Sequence, residues 1–198
     1  LGKRISAPNR GRLGDVTAET EDLVSLLKAD HKKLEETFAA LDSLEDSQLR
    51  DYFCQVRQEL GGHETAEQLV VYPAFRRHVP GPGTVADACV AEQSEAEAAL
   101  ARLERYGDEP VVVRAGLLQL RREVLAHVQH EERDILPALE AHMKPKALHE
   151  LARRYAKALD SAPTHSHPHV ADAARANIVL GPVEEVRDSI RETMKQSA

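Results

Sequence analysis

At 198 residues, 42% hydrophobic and 30% charged, the chain has the length and composition of one globular domain with tails, not of a disordered protein. A net charge of -7 argues against a general nucleic-acid binder with a phosphate-neutralising face, and no apolar stretch approaches the roughly 20 residues that span a bilayer. Neither a nucleic-acid partner nor a membrane span is expected, and with three phenylalanines, four tyrosines and no tryptophan the core must be aliphatic.

Residues 1–19 carry Lys3, Arg4, Arg10 and Arg12 among glycine and proline and read as a disordered basic leader. The leader lacks the apolar core of a signal peptide, so a cytoplasmic location is expected. Residues 20–160 read as a helical domain, because turn clusters near 42–47, 79–84 and 107–110 divide it into four long segments of helical periodicity. The first seam is Val24, Leu27, His31, Leu34, Phe38, Leu41. The second is Leu49, Phe53, Val56, Leu60, His63, Glu67, Val70, Ala74. The third is Ala86, Cys89, Gln93, Ala96, Leu100, Leu103, and the fourth is Val113, Leu117, Leu120, Val124, His127, Glu131, Asp134, Ala138.

Thr20 and Ser47 are the expected N-caps of the first two segments, and Pro110 suits a first helical turn. Four amphipathic helices with short connections predict an all-α, antiparallel up-down-up-down bundle. Gly61, Gly62 and Pro73 bracket His63 and Glu67, so the second helix is expected to bend there, either to let side chains converge or as a tolerated defect. A fifth helix over about Pro145 to Leu159, with Leu148, Leu151 and Tyr155, should pack on the bundle. Residues 161–198 read as a linker, holding His165, His167 and His169, followed by a short peripheral helix from Pro182 to about Met194. Cys54 and Cys89 form no CxxC pair and are expected as buried free thiols.

Each apolar seam is interrupted by a polar or ionisable side chain in its inner stretch, and burying such a group without a partner costs several kcal/mol, about what a metal or ion pair must repay. His31 and His63 stand a similar number of residues from the first turn; at about 1.5 Å per residue they share one level, as do Gln93 and His127 counted from the other turns. His63 with Glu67 and His127 with Glu131 are i and i+4 pairs, so each offers an imidazole nitrogen and a carboxylate to one point. Nitrogen and hard oxygen donors from facing helices suit iron, manganese or zinc. His31 with Glu35 also fits HxxxE, so one such pair is weak; two in register with His31 is the informative pattern, weighed against a metal-free buried polar network.

Ala29-Asp30-His31, the His63-Glu64-x-x-Glu67 element followed by Tyr72-Pro73, and His127-x-x-x-Glu131 followed by Leu136-Pro137 resemble the hemerythrin-like, or HHE, family pattern of H, HxxxE, H, HxxxE. The resemblance covers roughly Asp22 to Met143. It implies a non-haem di-iron centre in which His31 and His63 serve one iron, His127 serves the other, and Glu67 and Glu131 bridge. It departs from the pattern at the third helix, where Gln93 replaces the usual histidine and could offer only an amide oxygen. Glu97 or Glu92 could stand in for it, or be ordinary surface charges. Tyr72 is either a hydroxyl at the site or a core-edge residue, and Asp134 either orients an imidazole or lies at the bundle surface. The functions implied are binding or sensing of oxygen, peroxide or nitric oxide, with peroxide decomposition or a metal-poor protein-interaction bundle as alternatives.

Overall fold

The computed structural model describes residues 22–81, 83–106 and 109–161. The leader with its Thr20 cap, the histidine-rich linker and the C-terminal helix expected from the sequence lie outside them. All regular structure among the described residues is helical: α1 (Leu23–Ala40), α2 (Leu49–Ala66), α3 (Tyr72–His78), α4 (Gly83–Tyr106), α5 (Pro110–His130), α6 (Leu136–His142) and α7 (Pro145–Ser161). A five-residue π-helical turn, Glu67–Val71, joins α2 to α3, and another, Glu131–Ile135, joins α5 to α6, so each pair makes one long bundle helix.

The caps differ from the sequence expectation. Asp22 caps α1, its carboxylate accepting from the Ser25 N–H at 2.9 Å. Ahead of α2, a 3-10 turn over Asp46–Gln48 is closed by the Glu45 N–H donating to Gln48 Oε1 at 2.9 Å, so Ser47 is not the cap. Pro110 opens α5 as expected. Gly81, with φ of +69°, makes the turn into α4 in a conformation that a side chain would disfavour. Arg114 on α5 donates to the Leu44 carbonyl at 2.6 Å and to Asp46 Oδ1 at 2.9 Å, tying the α1–α2 connection to the opposite helix.

Two apolar clusters fill the bundle. One joins Leu23 and Leu27 at the start of α1 to Val70 and Phe75 near the end of the second rod, Ala86 and Cys89 at the start of α4, and Ile135 and Leu139 near the end of the fourth. The other joins Leu34 and Phe38 to Phe53, Leu60, Leu100, Leu117 and Val124. Beginnings meeting ends in this alternation establishes the antiparallel up-down-up-down order. Between the clusters lies one layer of buried polar side chains, His31, His63, Glu64, Glu67, Gln68, Gln93, His127 and Glu131. Apolar packing above and below shields that layer from bulk water, which strengthens the electrostatic interactions within it.

Helix α7 packs against α1 and α2 and buries Leu148, Leu151 and Tyr155. Each such side chain is worth roughly 1.5–3 kcal/mol of burial. Cys89 is buried, but Cys54 is exposed, contrary to expectation: it falls one position past Phe53, off the apolar stripe. No helix among the described residues is long and apolar enough to cross a membrane.

Candidate metal centre

The two long rods present their carboxylates by the same local device. Proline has no N–H to donate into the preceding turn, so the helix must rearrange ahead of it. Pro73 and Pro137 each follow a glutamate by six residues, and in both rods the N–H of the residue before the proline bonds five residues back: Tyr72 to the Glu67 carbonyl, Leu136 to the Glu131 carbonyl. The π turn therefore begins at the glutamate, four residues beyond His63 or His127. Helix α2 runs through Gly61 and Gly62 without a break, so the deformation anticipated between Gly61 and Pro73 is this turn.

Four of the expected residues converge. His31 Nε2 lies 3.5 Å from Glu67 Oε1 and 3.3 Å from Glu131 Oε2, while His63 Nε2 lies 3.1 Å from Glu67 Oε1. The donor atoms of His31, His63, Glu67 and Glu131 all fall within 4.8 Å of one another, and all four residues are buried. Ligands at about 2.1 Å from one ion stand about 3 Å apart when adjacent and about 4.2 Å when opposite, so the spacing fits a shared cation. Satisfaction of hydrogen bonds points the same way. His31 Nε2, His63 Nε2, Glu67 Oε1 and Glu131 Oε2 are all buried without a hydrogen-bond partner, in an interior where such atoms are rare.

The far nitrogen of each ring is fixed by an acid. His31 Nδ1 is 3.0 Å from Glu132 Oε1; His63 Nδ1 is 2.9 Å from Asp30 Oδ2 and 3.0 Å from the Tyr155 hydroxyl, which itself donates to Asp30 at 2.8 Å. His127 Nδ1 is 2.8 Å from Glu92 Oε2. A carboxylate on Nδ1 turns the Nε2 lone pair toward the centre of the bundle, the usual support of a ligating imidazole. Without metal, protons do the balancing. Burial opposes charge on His31, but Glu131 and Glu67 outweigh it and lift the ring to about 9. His127 is likewise held back by burial and raised to about 9 by Glu67 and Glu131. Burial pushes Glu67 up, yet the neighbouring histidines hold it well below the usual carboxylate range, while burial and the charge of Glu67 raise Glu131.

The His127 side is built differently. His127 Nε2 stands 4.0 Å from Glu67 Oε2 and 3.8 Å from Glu131 Oε2, outside the tight group. Gln93 does not turn its carbonyl inward as a ligand would. Its Oε1 accepts from Gln68 at 2.9 Å, and its Nε2 donates to Glu67 Oε2 at 2.6 Å and to the Tyr72 hydroxyl at 2.8 Å. Tyr72 then donates to Glu131 Oε1 at 2.7 Å, so its hydroxyl lies at the site and is not at the core edge.

Other expected residues are placed elsewhere. Glu97 is half-buried and acts on Glu64, whose carboxyl is pushed up first by burial and then by the charge of Glu97; it does not join the group. Glu92 bridges His127 Nδ1 and His130 Nδ1, at 2.8 and 2.9 Å, as an orienting acid. Asp134 was expected on the seam, but the π turn inserts a residue and passes the buried stripe to Ile135, Leu136 and Leu139, leaving Asp134 half-exposed beside Arg133 and 3.4 Å from His130. Glu35 is exposed, which separates the chance HxxxE from the other two. Sequence reasoning did not find Glu132 as a partner of His31, Tyr155 as a partner of His63, or Gln68 as the support of Gln93. The Glu-x5-Pro spacing shared by both rods was the signal that could have revealed the π turns.

Residues 22–139, more than half the chain, match the hemerythrin HHE cation binding domain. An uncharacterized hemerythrin-like protein of Schizosaccharomyces pombe is 25% identical over 169 residues, covering 80% of this chain and 81% of that protein. A DNA nickase of Nostoc is 25% identical over 151 residues, which are 73% of this chain but only 42% of the nickase. No solved structure matches. The two His-x3-Glu elements, the bundle and the domain match agree: the chain belongs to the hemerythrin HHE cation-binding family.

Proposed function

We propose that the chain holds iron on His31, His63, Glu67 and Glu131 and uses it to bind or sense a small oxidant or radical, namely dioxygen, peroxide or nitric oxide. The supporting observation is the set of four buried donor atoms without hydrogen-bond partners, all within 4.8 Å of one another. Two imidazoles and two carboxylates suit iron, and manganese or zinc could bind the same set. Bound there, iron would supply a redox couple and coordination positions not taken by protein.

The surrounding residues would tune that metal. Glu67 and Glu131 bring negative charge that favours the ferric over the ferrous state. Asp30, Glu132 and Tyr155 hold the two rings so that little reorganisation accompanies binding. The apolar clusters on either side exclude bulk water, and the Tyr72 hydroxyl and Gln93 amide place hydrogen-bond donors beside the carboxylates.

Loading the purified chain with ferrous iron without oxygen, then adding nitric oxide, dioxygen or peroxide separately, tests the reading by absorption spectroscopy. Each active ligand should produce new charge-transfer bands that disappear in His63→Ala. A chain that takes up no stoichiometric metal would remove the proposal. Sustained turnover of peroxide, abolished by Glu67→Gln, would assign an enzyme and not a passive binder.

A further inference from the structure

We infer that this centre is built for one metal ion and not two, with Gln93 as the residue that sets that number; the inference rests on the metal reading just given. The two bridging candidates have four carboxylate oxygens between them, two capped by a hydrogen-bond donor and two not. Glu67 Oε1 and Glu131 Oε2, facing His31 and His63, have no hydrogen-bond partner. Glu67 Oε2 and Glu131 Oε1, on the other side, are each capped by a donor, Gln93 Nε2 at 2.6 Å and the Tyr72 hydroxyl at 2.7 Å.

A second ion bridged to the first by these carboxylates would sit among Glu67 Oε2, His127 Nε2 and the Tyr72 oxygen. Gln93 Nε2 is already there, at 2.6 Å, 3.5 Å and 2.8 Å from those atoms respectively. An amide NH2 carries partial positive charge and has no lone pair to give, so it takes the place of a cation and repels one. Its orientation follows from its partners. The Glu67 carboxylate oxygen accepts from the amide NH2 at 2.6 Å, and the carbonyl end of Gln93 is held by Gln68 Nε2 at 2.9 Å. For Gln93 to serve as a ligand its amide must turn over. That would break the bonds to Glu67 and Tyr72 and set NH2 against the NH2 of Gln68. The directed chain from Gln68 through Gln93 to Glu67, and through Tyr72 to Glu131, is therefore a polar plug in the second position.

Nuclearity limits the chemistry. Reducing dioxygen to the level of peroxide takes two electrons, one more than a single ferrous ion gives on becoming ferric. A one-iron centre thus fits one-electron chemistry better than two-electron reduction of dioxygen.

Metal analysis after ferrous loading and desalting of the full chain tests this, with electron paramagnetic resonance of the air-oxidised samples. The expected result is one iron per chain and a signal from isolated high-spin ferric ions. That iron should survive His127→Ala and vanish with His63→Ala, circular dichroism confirming that each variant is folded. Gln93→His should raise the ratio to two and quench the signal by coupling between the irons. Two tightly held irons in the unaltered chain, or loss of all iron in a folded His127→Ala variant, would overturn the single-ion assignment while leaving the metal reading intact. Iron absent from every form would overturn both.

Discussion

Removing metal should give the protein a stability that falls with rising pH, and the size follows from the histidines. In the metal-free chain His31 and His127 are lifted from 6.5 to about 9 by Glu131 and Glu67 acting against burial. A group whose folded pKa is raised contributes stability that is fully present below its unfolded value and lost as pH climbs through the folded value. The window is therefore pH 6.5 to about 9. His31 alone corresponds to about 3 kcal/mol, or on the order of 10 °C in melting temperature for a domain of this size. The two rings share the same carboxylates, so twice that is a ceiling for this pair and not a sum; His63, raised well above its ordinary value by Glu67 and Asp30 against burial, acts with the same sign. Glu64, raised by burial and by Glu97, acts with the same sign because its neutral form also is lost as pH rises. Calorimetric melting of chelated and iron-loaded protein from pH 6 to 9.5 is the assay. The chelated form should lose melting temperature through this window and the loaded form should stay nearly level, since metal has replaced the protons. A chelated protein equally stable at both ends would refute the account of protons as placeholders for the ion.

Three further outcomes follow from single side chains. Tyr155→Phe keeps the buried ring but removes the hydroxyl from Asp30 and His63, so iron affinity measured by competition with a chelator should fall about 10- to 100-fold while the helical spectrum is unchanged. Glu64→Gln replaces a carboxyl that burial and the charge of Glu97 push toward its neutral form with a neutral isostere, so melting temperature at pH 7 should hold or rise, and a loss of several degrees would contradict that direction. Gly116→Ala should destabilise by about 1–3 kcal/mol because the added carbon meets the Leu103 side chain, whereas Gly61→Ala, with nothing within 4 Å, should gain up to about 1 kcal/mol of helix propensity; equal effects in urea melts would contradict this packing.

The bundle was legible in the sequence because apolar spacing is a local property, and the inner stretch of every seam is buried as read. The polar layer was legible for the same reason: a histidine or glutamine replacing an aliphatic residue on a buried stripe has to lie between the helices. Periodicity failed past Glu131, since a constant 3.6-residue repeat cannot register the residue inserted by a π turn; the repeat therefore put Asp134 on the seam, with a surface position left open, and passed over Ile135. The orienting partners were hidden for another reason. Tyr155 and Asp30 are 125 residues apart, and Glu132 reaches His31 across 101, separations on which spacing along one helix is silent. Gln93 was correctly seen to face the layer, but which end of its amide points inward depends on Gln68, and only the folded arrangement brings Gln68 to it.

The proposed ion lies between His31, His63, Glu67 and Glu131. Crystals of iron-loaded protein measured on both sides of the iron absorption edge test it most directly. The expected result is one anomalous peak within bonding distance of His31 Nε2, His63 Nε2, Glu67 Oε1 and Glu131 Oε2, with the Gln93 amide still on Glu67. A peak located instead beside His127, where Cys89 and Glu92 also bring possible ligand atoms within 4.8 Å of it and of each other, or no peak in the bundle, would contradict it.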